Sequence, residues 1–222
     1  MENKIIDSWK KNAKEWSKVI ENQEIPSRKF TNQAILAAIK KTGASKVADF
    51  GCGEGWLTRE MSHMGMDAFG FDAIPDLIKD ADQKGYGEYE VLTFEEIIAG
   101  KPIPNTTFDL GVFNFCLYLK DGLFELIENS LQSINPKGHI IIQTLHPYFL
   151  IQNGLNYEGQ WISDSWKGLP GNFTDGHSWY ARTFEEWTSV LASIDGVNYT
   201  LQEVTNDDQQ PISLIIQIQK LK

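Results

Sequence analysis

Between Lys46 and Leu145, five short strand-like runs alternate with segments of helical periodicity, and this alternation restricts the chain to a narrow set of folds. The runs are Lys46 to Phe50, Asp67 to Phe71, Glu88 to Leu92, Phe108 to Phe115 and His139 to Leu145. Between them, Trp56 to Met64 puts Leu57, Met61 and Met64 on one helix face. Pro75 opens a helix carrying Leu77, Ile78 and Ala81, and Gly85 closes it. Thr93-Phe94-Glu95-Glu96 is a capping box for a short helix ending at Gly100. Asp121 is expected to cap a helix with Leu123, Ile127, Leu131 and Ile134 inward, and Asn135-Pro136-Lys137-Gly138 reads as a turn. Strands separated by helices cannot pair as hairpins, so the runs predict a mostly parallel sheet with helices on both faces.

The ends of the chain complete this plan. Ile6, Trp9, Ala13, Trp16 and Ile20 line one face of a first helix. A linker containing Pro26 leads to a second, with Ile35, Leu36 and Ile39 inward and Gly43 as its stop. A second capping box, Thr183-Phe184-Glu185-Glu186, opens a helix carrying Trp187, Val190, Leu191 and Ile194. Val197 to Val204 and Ile212 to Lys220 then read as an antiparallel hairpin. The expectation is one α/β domain over residues 1–222, with seven strands, an N-terminal helical cap over about 1–42 and an aromatic-rich insertion over about 146–182.

Chemistry concentrates in Val47-Ala48-Asp49-Phe50-Gly51-Cys52-Gly53-Glu54-Gly55, a glycine loop joining the first run to its helix. In an open parallel sheet, ligands bind at the carboxyl ends of strands where the strand order reverses. Glycine lets the backbone turn sharply and touch a ligand. The spacing is G-x-G-x-G rather than the dinucleotide G-x-G-x-x-G, and Asp49 and Glu54 are expected to repel a pyrophosphate. They suit a ligand with an ammonium and a sulfonium, such as S-adenosylmethionine (SAM). Asp72 ends the second run 21 residues after Gly51, where an acidic side chain can accept both ribose hydroxyls.

Charge and cysteine content limit the partners. With 20 Lys and Arg against 30 Asp and Glu, the formal net charge is -10, which disfavours nucleic acid and anionic membrane. Residues Met1 to Lys10 hold no apolar signal core, and no run approaches the ~20 apolar residues of a membrane span. Cys52 and Cys116 read as reduced thiols, so the expected location is cytoplasmic. The four histidines and two cysteines show no metal-ligand spacing, and no metal is expected.

These motifs resemble the class I SAM-dependent methyltransferases, in particular small stand-alone bacterial-type members. The resemblance rests on Asp49 to Gly55, Asp72, Phe108-Asp109-Leu110 and Asn135 to His139, and runs from about Ala34 to Leu145 before resuming at the last helix and hairpin. It implies a Rossmann-like fold, SAM as methyl donor and S-adenosylhomocysteine (SAH) as product. By resemblance, Asp49 and the backbone of Gly51, within the loop shared with Cys52 and Gly53, hold the methionine amino group. Asp72 binds ribose, Ala73 and Ile74 lie against adenine, and Thr93 and Phe94 flank its edge. The family often has an acidic residue near Thr93, and this chain does not. Asn114 and Phe115 line the floor near the sulfonium, and Arg28 pairs with the methionine carboxylate.

The acceptor side is less constrained. Ten aromatics fall between Pro147 and Trp187. Two readings stay open: a lid over the acceptor, or a satellite core packed on Trp9 and Trp16 of the first helix. Tyr118, His146, Trp179, Tyr180 and Arg182 are candidate substrate contacts, His177 is a further polar candidate, and His146 is the candidate general base. The expected acceptor is a small molecule, methylated on oxygen, nitrogen or carbon, and the protein a monomer or homodimer. The alternatives are a SAM- or SAH-binding protein without turnover and an NAD-dependent oxidoreductase.

Overall fold

The computed structural model describes residues 2–222. Its elements are α1 (Glu2–Glu21), α2 (Arg28–Thr42), β1 (Lys46–Phe50), α3 (Trp56–His63), β2 (Asp67–Asp72), α4 (Pro75–Lys84), β3 (Glu88–Val91), α5 (Phe94–Ile98), β4 (Phe108–Asn114), α6 (Leu123–Gln132), β5 (Ile134–Leu145), α7 (Phe149–Gln152), β6 (Gln160–Ile162), β7 (Trp179–Ala181), α8 (Phe184–Ala192), β8 (Val197–Thr205) and β9 (Pro211–Lys220). The main sheet runs β3-β2-β1-β4-β5-β9-β8. Its first five strands are parallel, and β9 joins β5 and β8 antiparallel. The expected α/β, Rossmann-like sheet with a C-terminal hairpin is therefore present.

Strand alternation sorts the side chains into two layers. Val47, Leu110, Val112 and Ile141 meet Ile35 and Ile39 of α2 and Leu57 and Met61 of α3. Ala48, Phe50, Phe113 and Ile142 face Ile97, Leu126, Ile127, Trp187 and Leu191 of α5, α6 and α8. A smaller third cluster packs Ala13 of α1 on Ile74 and Leu77, with Trp9, Trp16 and Ala73 around it. The N-terminal helix is thus anchored on α4, directly beyond the end of β2. Both capping boxes are formed, by Thr93 with Glu96 and by Thr183 with Glu186.

Three local expectations are corrected. The cap of α6 is Gly122 at φ 80°, without a side-chain cap bond, rather than Asp121. Ile134 begins β5 instead of ending α6, and residues 135–138 are an irregular part of that strand, with Lys137 at φ 67° and a register shift against β4. The aromatic-rich insertion contains α7 and the antiparallel pair β6–β7. Pairing between segments 17 residues apart leaves no local periodic trace, which is why it escapes a sequence reading.

Candidate active site

β1 lies between β2 and β4, so the chain leaves the sheet in opposite directions on its two sides and opens a crevice at its carboxyl end. The glycine loop fills that place. Gly51 N–H and Cys52 N–H both donate to the Phe71 carbonyl, at 2.7 and 3.0 Å, which bends the loop toward β2. Gly51 takes φ +72°, and a Cβ there would lie 2.6 Å from Cys116 Cβ and 3.3 Å from Phe94 Cζ. The backbone at Gly51 is therefore held against the end of β4 and the start of α5 by the lack of a side chain.

Asp72 is the pivot of the site. Gly53 N–H donates to one carboxylate oxygen and Ile74 N–H to the other, both at 2.9 Å. Each oxygen keeps a further acceptor direction. Burial pushes the Asp72 carboxyl up to about 6, opposed by its backbone hydrogen bonds. Asp49 is buried on the α3 side, where Thr58 Oγ1 donates to it at 2.8 Å. Burial pushes it up to about 7, and the neighbouring Asp72 adds to the shift. Two acids held at such values are primed to receive positive charge.

Glu54 behaves differently from the sequence expectation. It is fully buried and paired with Arg59 at 2.7 Å and Lys84 at 2.8 Å. Its charge is neutralised inside the protein, so it does not face a ligand, and the charge argument rests on Asp49 and Asp72 alone. Lys84 also pairs with Asp80 and with Glu21 of α1, each at 2.9 Å. Burial lowers the Lys84 pKa, but its bonds to the three carboxylates more than offset this and raise it to about 12. Ser17 donates to Asp80 at 2.6 Å, completing a network that ties α1, α4 and the glycine loop together.

The remaining cofactor candidates lie around this loop. Arg28 stacks over Trp56, 4.4 Å from the ring centroid, and has no ion pair among the described residues. Burial lowers its pKa to about 10, opposed by Glu54. The Cys52 side chain turns toward Gly70, where a Cβ would meet its sulfur at 3.0 Å, so only the Cys52 backbone faces the crevice. Ile74 and Ala73 lie under Trp9 and Trp16, and Trp16 Nε1 stands 3.5 Å from a Cβ built at Gly53. Thr93 Oγ1 accepts from Glu96 N–H, and Phe94 meets Phe113 in a tilted contact at 5.7 Å between centroids. Asn114 Oδ1 is buried without a partner, and Phe115 takes φ 54°. A free cation, carboxylates with open acceptor directions and a glycine cradle fit SAM.

The acceptor candidates separate. Tyr118 donates to the Phe115 carbonyl at 2.7 Å, and its phenol is raised by burial and by the nearby Cys116 and Asp72. It therefore belongs to the crevice. His146 is buried with both nitrogens engaged: Nδ1 accepts from Tyr148 N–H at 3.1 Å, and Nε2 lies 3.0 Å from Glu203. Trp179 packs on Phe149, and Tyr180 donates to Glu186 at 2.8 Å. Arg182 Nη2 donates to the Leu119 and Lys120 carbonyls at 2.6 and 2.7 Å. Arg182 and the Tyr180 N–H, which donates to the Tyr118 carbonyl at 3.0 Å, brace the insertion against the segment after β4.

The aromatic insertion folds back onto α1. Trp166 meets Trp9 edge-on at 4.7 Å and donates to Ser8 Oγ at 2.9 Å. Asn12 and Thr174 exchange side-chain–backbone bonds at 2.7 and 2.9 Å, and Glu15 accepts from Asn172 N–H at 2.8 Å. The satellite core is therefore real. The sequence places Trp166 among the insertion's ten aromatics, with Trp9 and Trp16 as partners, but gives no sign of the Arg59–Glu54–Lys84 network, in which Lys84 comes from 30 residues away.

Among the described residues, no helix is long and apolar enough to cross a membrane. Residues 15–192 match a methyltransferase domain family. An uncharacterized methyltransferase of Schizosaccharomyces pombe, C70.08c, is 33% identical over 84 residues, which are 38% of this chain and 32% of that protein. The chain thus matches about a third of this curated relative's length. An S-adenosylmethionine-dependent methyltransferase from Mesorhizobium loti shares the fold at TM-score 0.62 and 19% identity, covering 83% of this chain and 96% of that one. The plantazolicin methyltransferase BamL, in complex with a triazolic desmethylPZN analog and SAH, does so at TM-score 0.68 and 16% identity over 100% and 97% of the two chains.

Proposed function

We propose that this chain, which belongs to the methyltransferase domain family of SAM-using enzymes, transfers the methyl group of SAM to a small-molecule acceptor seated between the glycine loop and the aromatic cap. The observation that carries the reading is Asp72, bonded on both oxygens by backbone N–H groups beside a glycine loop that tolerates no side chain at Gly51.

Bound SAM would supply an electrophilic methyl group on a sulfonium. In this proposal Asp72 accepts the ribose hydroxyls, and Asp49 with the Gly51–Cys52–Gly53 backbone receives the methionine amino group. Arg28 takes the carboxylate, and Ala73, Ile74, Thr93 and Phe94 surround the adenine. Asn114, Phe115 and Tyr118 form the floor toward the acceptor. Orientation of two reactants can supply about 7–11 kcal/mol, whereas a general base supplies about 10²–10⁴-fold. Positioning is thus the larger part of the task, and His146, whose nitrogens are both committed, is not assigned a proton-transfer role.

The net charge of -10 supports an acceptor other than nucleic acid. The two free cysteines support a cytoplasmic location. We read residues 1–222 as a single working domain, monomeric or homodimeric, in which α1 and the insertion form the cap.

Calorimetry with SAM and SAH tests the reading. Wild-type protein is expected to bind both. Asp72→Ala removes two charge-assisted bonds worth about 1.5–3 kcal/mol each, a loss of roughly 10²–10⁴-fold in affinity. An unchanged affinity, or preference for a phosphate-bearing dinucleotide, refutes it.

A further inference from the structure

The main sheet ends on two unlike edges. β3 is four residues long, and its exposed Glu88 and Glu90 set like charges along it. Short length and charge are devices by which edge strands avoid pairing with other chains. β8 has neither over most of its span. It runs nine residues, and nothing charged precedes Glu203. Val197, Tyr199 and Thr200 are residue types that favour strands. Six consecutive residues, Asn198 to Glu203, are exposed, so neither helical layer reaches over the strand. Tyr199 is 37% and Leu201 38% exposed, and alternation puts both on one face. β9 pairs with the inner side of β8, and among the described residues no strand meets its outer side.

We propose that β8 pairs antiparallel with β8 of a second copy of this chain, about a two-fold axis at Thr200. Opposed residues in a continuous sheet point to the same face, so such an axis must pass through a residue rather than between two. With the axis at Thr200, the pairing spans 197–203. That is the whole run between Gly196, at φ 70°, and the register irregularity at Val204 and Thr205. Tyr199 then stands opposite Leu201 of the second copy, and Leu201 opposite its Tyr199. Both exposed apolar side chains of each copy are thereby covered, in aromatic–aliphatic cross-strand pairs. An axis at Tyr199 would leave Gln202 and Glu203 without opposed strand residues. An axis at Leu201 would set Tyr199 against Glu203 and cross the irregularity.

Charge agrees with a second copy as the occupant. Glu203 is the one charged residue of β8, and it lies 3.0 Å from His146 Nε2 of its own chain. The two-fold places it opposite Val197, so the two Glu203 carboxylates stand at opposite ends of the pairing. The charged β3 edges face outward, which closes the assembly at two copies instead of a growing fibre. β8 supplies fewer residues than the roughly 20–30 a side of a stable interface, so the dimer is reversible, with a Kd of about 10–100 μM. Three strands, β4, β5 and β9, separate β8 from β1, so pairing leaves the cofactor crevice open. The proposal goes beyond the methyltransferase reading and does not depend on it.

Sedimentation velocity on the full chain, from about 5 to 500 μM, tests the proposal. Wild type is expected to pass from monomer to dimer across that range. Thr200→Lys sets two like charges directly opposite each other on the axis, at a position exposed in the monomer. It is expected to weaken dimerisation more than about tenfold with an unchanged unfolding curve. Register is read by cross-linking under mild oxidation. Thr200→Cys is expected to link to its own copy, because opposed residues lie within about 5.5 Å. Asn198→Cys shares that face but is expected to stay unlinked, since its copy stands roughly 13 Å away along the strand. Wild type is the blank, with Cys52 buried and Cys116 Sγ bonded to the Phe50 carbonyl. A monomer at every concentration, a dimer that Thr200→Lys leaves intact, or equal linking at both positions overturns the proposal. Absence of SAH binding refutes the methyltransferase reading and leaves this one standing.

Discussion

Gly51→Ala is the sharpest probe of how the glycine loop is held. Two separate costs apply. An L-residue at φ +72° sits in the left-handed region, at about 1–2 kcal/mol. The new Cβ would stand 2.6 Å from Cys116 Cβ and 3.0 Å from its sulfur, an overpacking worth about 1–3 kcal/mol. The expected destabilisation is the sum, about 2–5 kcal/mol. Only the steric part depends on Cys116. Cys116→Gly by itself is expected to destabilise, since it empties a packed position and removes the thiol bonded 3.2 Å from the Phe50 carbonyl. Combined with Gly51→Ala, it removes the atoms that clash, while the backbone cost stays. Urea unfolding of the two single variants and the double variant, with unchanged slope, gives the coupling free energy. A favourable coupling of about 1–3 kcal/mol is expected, accompanied by partial recovery of SAH affinity. A coupling below about 0.5 kcal/mol, the scatter of independent sites, refutes the claim that β4 presses on the loop through Cys116.

Four further outcomes follow from the same geometry. SAM affinity should fall as pH drops through about 7 and then about 6, since Asp49 and Asp72 must be ionised to meet the positive ligand, and calorimetry in buffers of different ionisation heat should detect proton release near pH 6. Without ligand the sign is opposite: both folded pKa values lie above the ordinary 3.8, so these groups favour folding fully below pH 3.8, and that contribution is lost as pH rises through about 6 to 7, which a pH series of unfolding curves of the wild type against Asp49→Asn checks. Lys84→Met should destabilise by about 1–3 kcal/mol, less than a fully buried pair, because Arg59 still neutralises Glu54 and the ammonium is partly wet; a change under about 0.5 kcal/mol in urea unfolding contradicts it. Arg182→Met should cost about 2–3 kcal/mol by leaving the Leu119 and Lys120 carbonyls unpaired, and limited proteolysis should then cut between β4 and α6 faster than in wild type.

The sheet was legible in the sequence because its signals are local. Apolar runs, Pro75 at a helix start, Gly43 and Gly85 at helix ends and the two Thr-x-x-Glu capping boxes each depend on neighbours within a turn or two. The candidate cofactor crevice has the same local signature: Asp49 to Gly55 are contiguous, and Asp72 stands one strand–helix–strand return away. Where local signals competed, the reading slipped. At Asp121 and Gly122 two adjacent residues both suit a helix start, and the left-handed glycine took it.

What the residues in order could not reveal is which charge faces the ligand and which is spent inside. Asp49, Glu54 and Asp72 look alike as letters. Only the tertiary structure turns Glu54 onto Arg59 and Lys84 and leaves Asp72 on the crevice. His146 and His177 are likewise equivalent in sequence, yet folding satisfies both nitrogens of one and strands a nitrogen of the other among three aromatic rings. Backbone periodicity is set by adjacent residues, whereas the partner of a buried polar atom comes from whichever distant segment packs against it. The chain alone therefore determined the scaffold, and the assembled molecule decided which of its polar groups were left for chemistry.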